Sequence, residues 1–274
     1  MKRRRWALCA LLALLLGVLP GRETASPAAN PVELPAESHF VALTFDDGPR
    51  RDTTARLLDG LRERGASATF FLVGQQIAGN EDLLRRMRDE GHQVGNHSWS
   101  HADLKSESDG GFQQEVGRTD ALLRETLGEG DYWLRPPYGF LTAHQRQLLT
   151  VPAVKWSVDP EDWKLRNTEK DVAAVLQGVQ PGDIILMHDT IPATVDAALR
   201  IVDALQAEGY TFVTVEELLA LSGVEAQPGV FYCSAAATEG EWEENGKTPG
   251  IHRMPGVKKQ YPPKITGCSG SGSG

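Results

Sequence analysis

The 274-residue sequence has few cysteines and fewer basic than acidic side chains. It contains 3 Cys and has 28 Lys and Arg against 37 Asp and Glu, which gives a formal net charge of -9. A protein that binds nucleic acid normally carries a basic surface, so this balance argues against a nucleic-acid partner. Cys9 lies in an N-terminal apolar run, which leaves Cys233 and Cys268 as the disulfide pair expected if the chain is exported to an oxidising compartment.

Long apolar runs are also scarce. The run from Trp6 to Leu19 follows four basic residues and is shorter than the ~20 residues that a membrane span requires. A basic start followed by a short apolar core is typical of a secretory signal. Residues 1–21 are therefore predicted to be a signal peptide, or an uncleaved N-terminal anchor because no clean small-x-small site follows. We expect a secreted, periplasmic or cell-envelope protein, which contacts a membrane only if this segment stays attached.

The composition divides the rest of the chain into three parts. Residues 22–37 are rich in Pro, Ala, Ser and Glu and are predicted to form a linker, and residues 38–222 are predicted to form a single folded domain. Residues 223–274 show no sustained period and are predicted to be an irregular tail. No long amphipathic or heptad segment indicates an oligomer, so a monomer is expected.

Apolar, strand-like runs alternate with helical patterns over about 180 residues, which is typical of a parallel α/β fold. No Gly-x-Gly-x-x-Gly pattern follows any strand, so a barrel is favoured over an open nucleotide-binding sheet. In such barrels the chemistry lies at the carboxyl ends of the strands. The predicted strands cover 41–45, 68–73, 92–96, 132–135, 154–158, 183–187 and 210–214, and the main helices 53–64, 81–90, 111–127, 168–178 and 193–208.

Adjacent acids follow the first predicted strand. Asp46 and Asp47 precede Gly48 and Pro49, and a turn there could direct both carboxylates over the same strand end. A solvated turn explains the same residues when they are taken alone. His97 and His101 are four residues apart, a spacing that on a helical turn would let both bind one metal ion. With Asp47 as a third ligand, they would leave a position open for water.

Three further segments carry candidate polar groups. Arg135 opens a Pro-rich turn and could hold Asp46 ionised and oriented, although an exposed arginine is the common alternative. The acidic segment that includes Asp162 could instead cap a helix. His188 ends an apolar strand, and an Asp partner could keep it protonated as an acid.

Together, five segments in this order resemble the polysaccharide deacetylase family, also called the NodB-homology domain or carbohydrate esterase family four. The resemblance covers about residues 38–222, and no essential position is substituted. The segments are Thr44-Phe45-Asp46-Asp47-Gly48-Pro49, His97-Ser98-Trp99-Ser100-His101, Arg135-Pro136-Pro137-Tyr138, Asp159-Pro160-Glu161-Asp162-Trp163 and Ile185-Leu186-Met187-His188.

The resemblance implies a distorted (β/α)7 barrel and a metal site made by Asp47, His97 and His101. The metal is usually zinc in this family, and cobalt or other divalent ions are also used. Its other implied roles are a general base at Asp46, an acid at His188 oriented by Asp162, an arginine that orients the base at Arg135, an oxyanion donor at the Tyr138 backbone N–H, and walls of the acetyl pocket at Trp163 and Leu186.

The implied activity is removal of N-acetyl groups from N-acetylglucosamine polymers, peptidoglycan or chitin-like. An acetylxylan-type O-deacetylase is the alternative within the family, because the same machinery cleaves esters. A polysaccharide-binding relative without turnover is the alternative outside catalysis. The expected partner is a polysaccharide in each case.

Overall fold

The strands and helices of this protein alternate along the chain in a computed structural model that describes residues 39–235 and 238–239. The strands are β1 His39–Asp46, β2 Thr69–Leu72, β3 Gln93–Asn96, β4 Ala153–Val154, β5 Ile184–His188, β6 Tyr210–Phe212, β7 Phe231–Tyr232 and β8 Thr238–Glu239. The helices are α1 Arg51–Glu63, α2 Gly74–Ile77, α3 Glu81–Asp89, α4 Asp109–Leu127, α5 Ala143–Gln147, α6 Asp162–Leu165, α7 Thr168–Gly178, α8 Pro192–Ala207 and α9 Val215–Leu221.

Strand β1 is the centre of the sheet, because it has three parallel partners. Its first half pairs with β6, and its second half pairs with β2 on one side and β5 on the other. Strand β2 in turn pairs with β3. The register places Asp46 beside His188 and Thr44 beside Leu186. The end of β1 is thereby fixed next to the end of β5.

Single bridges close the sheet into a barrel. Leu134 bridges Asn96 at the end of β3 and Ala153 in β4, and Val158 bridges Ile185 in β5. The predicted parallel α/β barrel is thus confirmed, and two of its strands are shorter than expected. The strands expected at 132–135 and 154–158 shrink to the Leu134 bridge and to β4, because prolines at 136, 137 and 152 have no N–H to extend a ladder.

Alternation along β1 sorts its side chains between two sides of the sheet. Val41, Leu43 and Phe45 belong to a large apolar cluster with side chains of α1, α3 and α8. Ala42 belongs to a second cluster, which includes Phe71 and the residues around Leu134. Even-numbered positions of β1 therefore face the barrel interior, and the last of them is Asp46.

Local sequence signals fix where several helices begin. Thr142 and Gln145 form a capping box at the start of α5, and Thr214 and Glu217 form one at α9. In each box the hydroxyl accepts the backbone N–H three residues on, and the longer side chain accepts the N–H of the cap residue. Pro192 occupies the first turn of α8, where its missing N–H costs nothing.

The fold continues beyond residue 222, where the irregular tail was expected to begin. Strand β7 pairs in parallel with β4, matching Phe231 to Ala153, and both Phe231 and Tyr232 are buried. Burial of two aromatic rings against the barrel explains why this segment is held. Cys233 is buried, whereas Cys268, its predicted partner, lies outside the described residues.

The predicted signal peptide and the linker to residue 37 also lie outside the described residues. Within 39–235, no helix combines the length and the apolar character needed to cross a bilayer.

Removal of the Phe45 ring tests the core beside β1. Phe45 has no exposed surface and stacks on Phe70 at a ring-centroid distance of 5.3 Å. We expect Phe45→Ala to lower the free energy of unfolding by about 3–5 kcal/mol, because it leaves a cavity. Leu221→Ala is the control, since Leu221 is 43% exposed; it should cost less than about 0.5 kcal/mol. Urea unfolding followed by circular dichroism measures both, and equal losses would contradict the assignment of this core.

Candidate active site

The two acids after β1 reach the same end of the barrel because the backbone turns between them. Asp46 ends β1 on the interior side and is buried, and Asp47 has φ 74°. An extended Asp47 would direct its side chain to the opposite face of the sheet. With this left-handed residue, Asp46 Oδ2 and Asp47 Oδ1 both lie 3.6 Å from His97 Nε2.

The two histidines lie on the loop after β3. Expecting them on a helical turn was wrong: Ser98 and His101 have φ values of 65° and 60°, so the loop reverses instead of coiling. His97 Nδ1 donates to the carbonyl oxygen of Arg135 at 2.7 Å, which leaves Nε2 directed at the carboxylates. Burial lowers the pKa of His97, despite the nearby carboxylates, and a neutral imidazole is the form that binds a metal.

Three ligand atoms fit one divalent cation. One atom each from Asp47, His97 and His101 lie within 4.8 Å of one another. Asp47 Oδ1 is buried and accepts no hydrogen bond from the described residues, and it lies 3.4 Å from His101 Nε2. A buried carboxylate oxygen without a donor beside two imidazoles is the environment that a bound cation satisfies. The donor set suits zinc, cobalt and related ions alike.

Arg135 binds Asp46 from inside the barrel. Its guanidinium is fully buried and donates from Nη1 to Thr44 Oγ1 at 2.7 Å and to Asp46 Oδ1 at 2.8 Å. Nη2 donates to the carbonyl oxygen of Lys155 at 2.8 Å. Burial raises the pKa of Asp46, but the charge and hydrogen bond of Arg135, together with the charge of His188, outweigh it, so the pKa lies below its ordinary value. Asp46 is held ionised.

His188, at the end of β5, is held in the opposite protonation state. Its Nδ1 lies 2.8 Å from Asp162 Oδ1, and its backbone N–H donates to Asp162 Oδ2 at 2.9 Å. Thr194 Oγ1 also donates to Asp162 Oδ2, at 2.8 Å. Burial lowers the pKa of His188, but the hydrogen bond and charge of Asp162, with the charges of Asp46 and Asp47, raise it to about 9. The imidazole is therefore protonated at neutral pH.

The remaining predicted residues surround these groups. Tyr138 has φ 62° in the tight turn between Pro136 and Gly139, and its ring meets His101 edge-on at 5.1 Å. Trp163 is half exposed at the start of α6. Leu186 is buried beside Thr44 on the interior side of β5. The turn at Tyr138 thus lies against the ligand cluster through His101, and Leu186 precedes His188 by two residues on β5.

Comparisons with known proteins place this constellation in a family. Residues 34–151 match the family model described as polysaccharide deacetylase. A solved structure of a T48 deacetylase with substrate shares 42% identity and a TM-score of 0.68, covering 71% of this chain and 96% of that one. The chain belongs to the polysaccharide deacetylase family.

Two further members show the spread of substrates among similar deacetylases. The peptidoglycan-N-acetylglucosamine deacetylase PgdA of Listeria monocytogenes is 39% identical over 181 residues, which is 65% of this chain and 38% of PgdA. This chain therefore spans well under half the length of that relative. A family 4 acetyl xylan esterase from Clostridium thermocellum, solved with a cobalt ion, is 35% identical with a TM-score of 0.69, covering 72% of this chain and all of the esterase.

Sequence reasoning missed one buried group of this protein. Asp189 has no exposed surface, accepts a hydrogen bond from Thr54 Oγ1, and lies directly behind Gly48. A Cβ on Gly48 would come within 2.5 Å of the Asp189 carboxylate, so Asp189 backs the turn that carries Asp47. Burial raises the pKa of Asp189 to about 7. Only its position next to His188 could have signalled it.

The charge of His188 can be tested through Asp162. We expect His188 to titrate near pH 9 in the wild type and at a clearly lower pH in Asp162→Asn, where the hydrogen bond and charge of Asp162 are lost and only Asp46 and Asp47 still oppose the effect of burial. Because the folded-state pKa is the higher one, the stabilisation from this pair is complete below pH 6.5 and is lost as the pH rises to 9. Asp162→Asn should reduce that pH dependence, because Asp162 is the largest of the groups that raise the His188 pKa.

NMR titration of the imidazole C–H signals measures both proteins. The signals of His144, which pairs with Asp109 at the surface, are the internal reference, because the substitution leaves that pair unchanged. A His188 midpoint that stayed near 9 in Asp162→Asn would show that Asp162 is not the source of the shift.

Proposed function

We propose that this deacetylase hydrolyses N-acetyl groups of an N-acetylglucosamine-containing polysaccharide, of the peptidoglycan or chitin-like class, and releases acetate. The observation that supports this most is the pairing of Asp46 and His188 at neighbouring strand ends with opposite protonation states. Hydrolysis of an amide needs a base for water and an acid for the leaving nitrogen, and the two groups supply these beside the ligand cluster.

Each residue has a defined part in the proposed reaction. Asp46, ionised and held by Arg135, accepts the proton of the attacking water. His188, protonated through Asp162, donates a proton to the nitrogen as it leaves. Asp47, His97 and His101 would hold a divalent cation, which would supply Lewis acidity at this end of the barrel.

The acetyl group itself is proposed to lie between the turn at Tyr138 and the walls at Trp163 and Leu186. The backbone N–H of Tyr138 would donate to the oxyanion that forms at the carbonyl carbon. The apolar surfaces of Trp163 and Leu186 would contact the methyl group, and their size would limit the pocket to a short acyl chain.

We propose zinc as the native metal and export to the cell envelope as the location. An Asp-His-His ligand set with an open position is typical of catalytic zinc sites, although the related esterase was solved with cobalt. The basic and apolar N-terminus of the sequence supports export, and PgdA, by its name, acts on peptidoglycan.

O-deacetylation of xylan is the second candidate, supported by similarity to the acetyl xylan esterase across that whole chain. A protonated His188 favours an amide substrate over an ester. The amine of an amide leaves only after it is protonated, whereas the alkoxide of an ester needs protonation less. Acetate release by the zinc-loaded protein, measured in parallel on chitooligosaccharide, peptidoglycan and acetylated xylan, decides between them. Release from xylan alone would transfer the chain to the esterase candidate, and release from none would favour a binding role.

Two substitutions separate base from ligand. We expect Asp46→Asn to retain wild-type metal content and to lower kcat by at least about 100-fold, because the carboxamide cannot accept the proton. His101→Ala should lose both metal and activity, since one of three ligands is removed. Metal content by elemental analysis and acetate release are measured on the same samples.

His144→Ala is the matched control, because His144 is an exposed histidine outside the ligand cluster. It should keep both metal and activity. If Asp46→Asn lost its metal while activity per bound metal stayed at the wild-type level, Asp46 would be a ligand and the proposed base would have to be reassigned.

A further inference from the structure

A cleft of about 510 Å³ adjoins the ligand cluster on the side of Asp47 and His101. Neither Trp163 nor Leu186, which are proposed to contact the acetyl group, lines this cleft. Beyond the two ligands it is lined by side chains that none of the proposed catalytic steps uses. The polar ones are Arg50, Gln75, Gln76, Ser100 and Thr190.

Arg50 is the one permanently cationic side chain among these lining residues. Asp47 is assigned to the metal, and the amides and hydroxyls of the other polar residues are neutral. The protein carries a net charge of -9, so a cation at this point contrasts with the average field of the molecule. A ligand in the cleft therefore meets a fixed positive charge.

The Arg50 guanidinium is held between the turns that follow β1 and β5. Its Nη1 donates to the carbonyl oxygen of Thr190 at 3.4 Å, and its Nε lies 3.3 Å from Asp52 Oδ1. Its backbone N–H donates to Thr54 Oγ1 at 2.8 Å. Nη2 has no partner among the described residues, and the side chain is 59% exposed. One edge of the guanidinium is thus available to a ligand.

We propose that Arg50 forms an anion subsite, which binds a carboxylate of the glycan near the sugar that is deacetylated. This proposal rests on the proposed function and specifies the class of its substrate. Arginine is suited to a planar carboxylate because its N–H groups form a fork. Chitin is neutral throughout, whereas peptidoglycan bears lactyl carboxylates on its muramic acid residues or, where peptides are attached, carboxylates on the peptide stem. Arg50 would favour the anionic polymer.

The test compares substrates that differ in one charge. Glycan strands of peptidoglycan freed of peptide carry lactyl carboxylates, and the same strands as methyl esters do not. We expect Arg50→Gln to lower the ratio of kcat/KM for free-acid over esterified strands by about tenfold, the order of one charge-assisted hydrogen bond. Arg85→Gln, the same charge change at an exposed site on α3, should leave that ratio unchanged.

Peptide-bearing strands identify the source of the carboxylate. An Arg50→Gln effect on these strands as large as on the peptide-free ones assigns the subsite to stem-peptide and lactyl carboxylates alike, whereas an effect confined to the peptide-free strands assigns it to the lactyl group. An equal loss on free-acid and esterified strands, or no loss on either, overturns the proposal.

Binding separates this proposal from the proposed catalysis. Metal-loaded Asp46→Asn is titrated calorimetrically with free-acid and esterified strands, with and without Arg50→Gln. We expect the second substitution to weaken binding of the free acid about tenfold and to remove its preference over the ester. If the wild type releases no acetate, the proposed function fails, and this titration still decides the subsite: the absence of a free-acid preference in the Arg50 protein overturns it.

Discussion

The buried ion pair of Arg135 and Asp46 is the contact on which the rest of the site depends. Removing a guanidinium from water is costly, and hydrogen bonds from Nη1 and Nη2 to Thr44, Asp46 and Lys155 offset part of that cost. The buried Nε of Arg135 has no partner among the described residues. The carbonyl of Arg135 in turn accepts from His97. One residue therefore sets both the ionisation of the acid and the direction of an imidazole, so the proposed base and ligand positions are adjusted together.

Parallel pairing gives the site its second constraint. Because β1 and β5 are in direct register, Asp46 and His188 are neighbours before any loop is considered. The field of each favours the charged form of the other. The separation of pKa values that general acid–base chemistry requires is thus produced by strand register together with two buried partners, Arg135 and Asp162.

The strand–helix alternation and the strand ends could be predicted from the sequence, because apolar runs such as 41–45 and 184–187 are buried on both faces. The five spaced motifs indicated which polar residues would lie close together at those strand ends. The reversed loop at Ser98 and His101 could not be predicted, since non-glycine residues rarely adopt positive φ. Asp189 and the pairing of β7 depend on contacts between segments distant in sequence, which no local pattern records.

The way in which the barrel closes determines where local opening would first disturb Arg135. Between β3 and β5, the described strands are connected only by single bridges at Leu134 and Val158 and by the two-residue strand β4. This part of the barrel has far fewer paired residues than the ladder between β1 and β5. The hydrogen bond from Arg135 to the carbonyl oxygen of Lys155 lies in this part of the barrel. A small separation of the strands here would break the hydrogen bond from Arg135 to Lys155, while the ladder between β1 and β5 stayed intact. The residue that holds the proposed base therefore lies where the described barrel has few paired strand residues, and not beside the long ladder of β1 and β5.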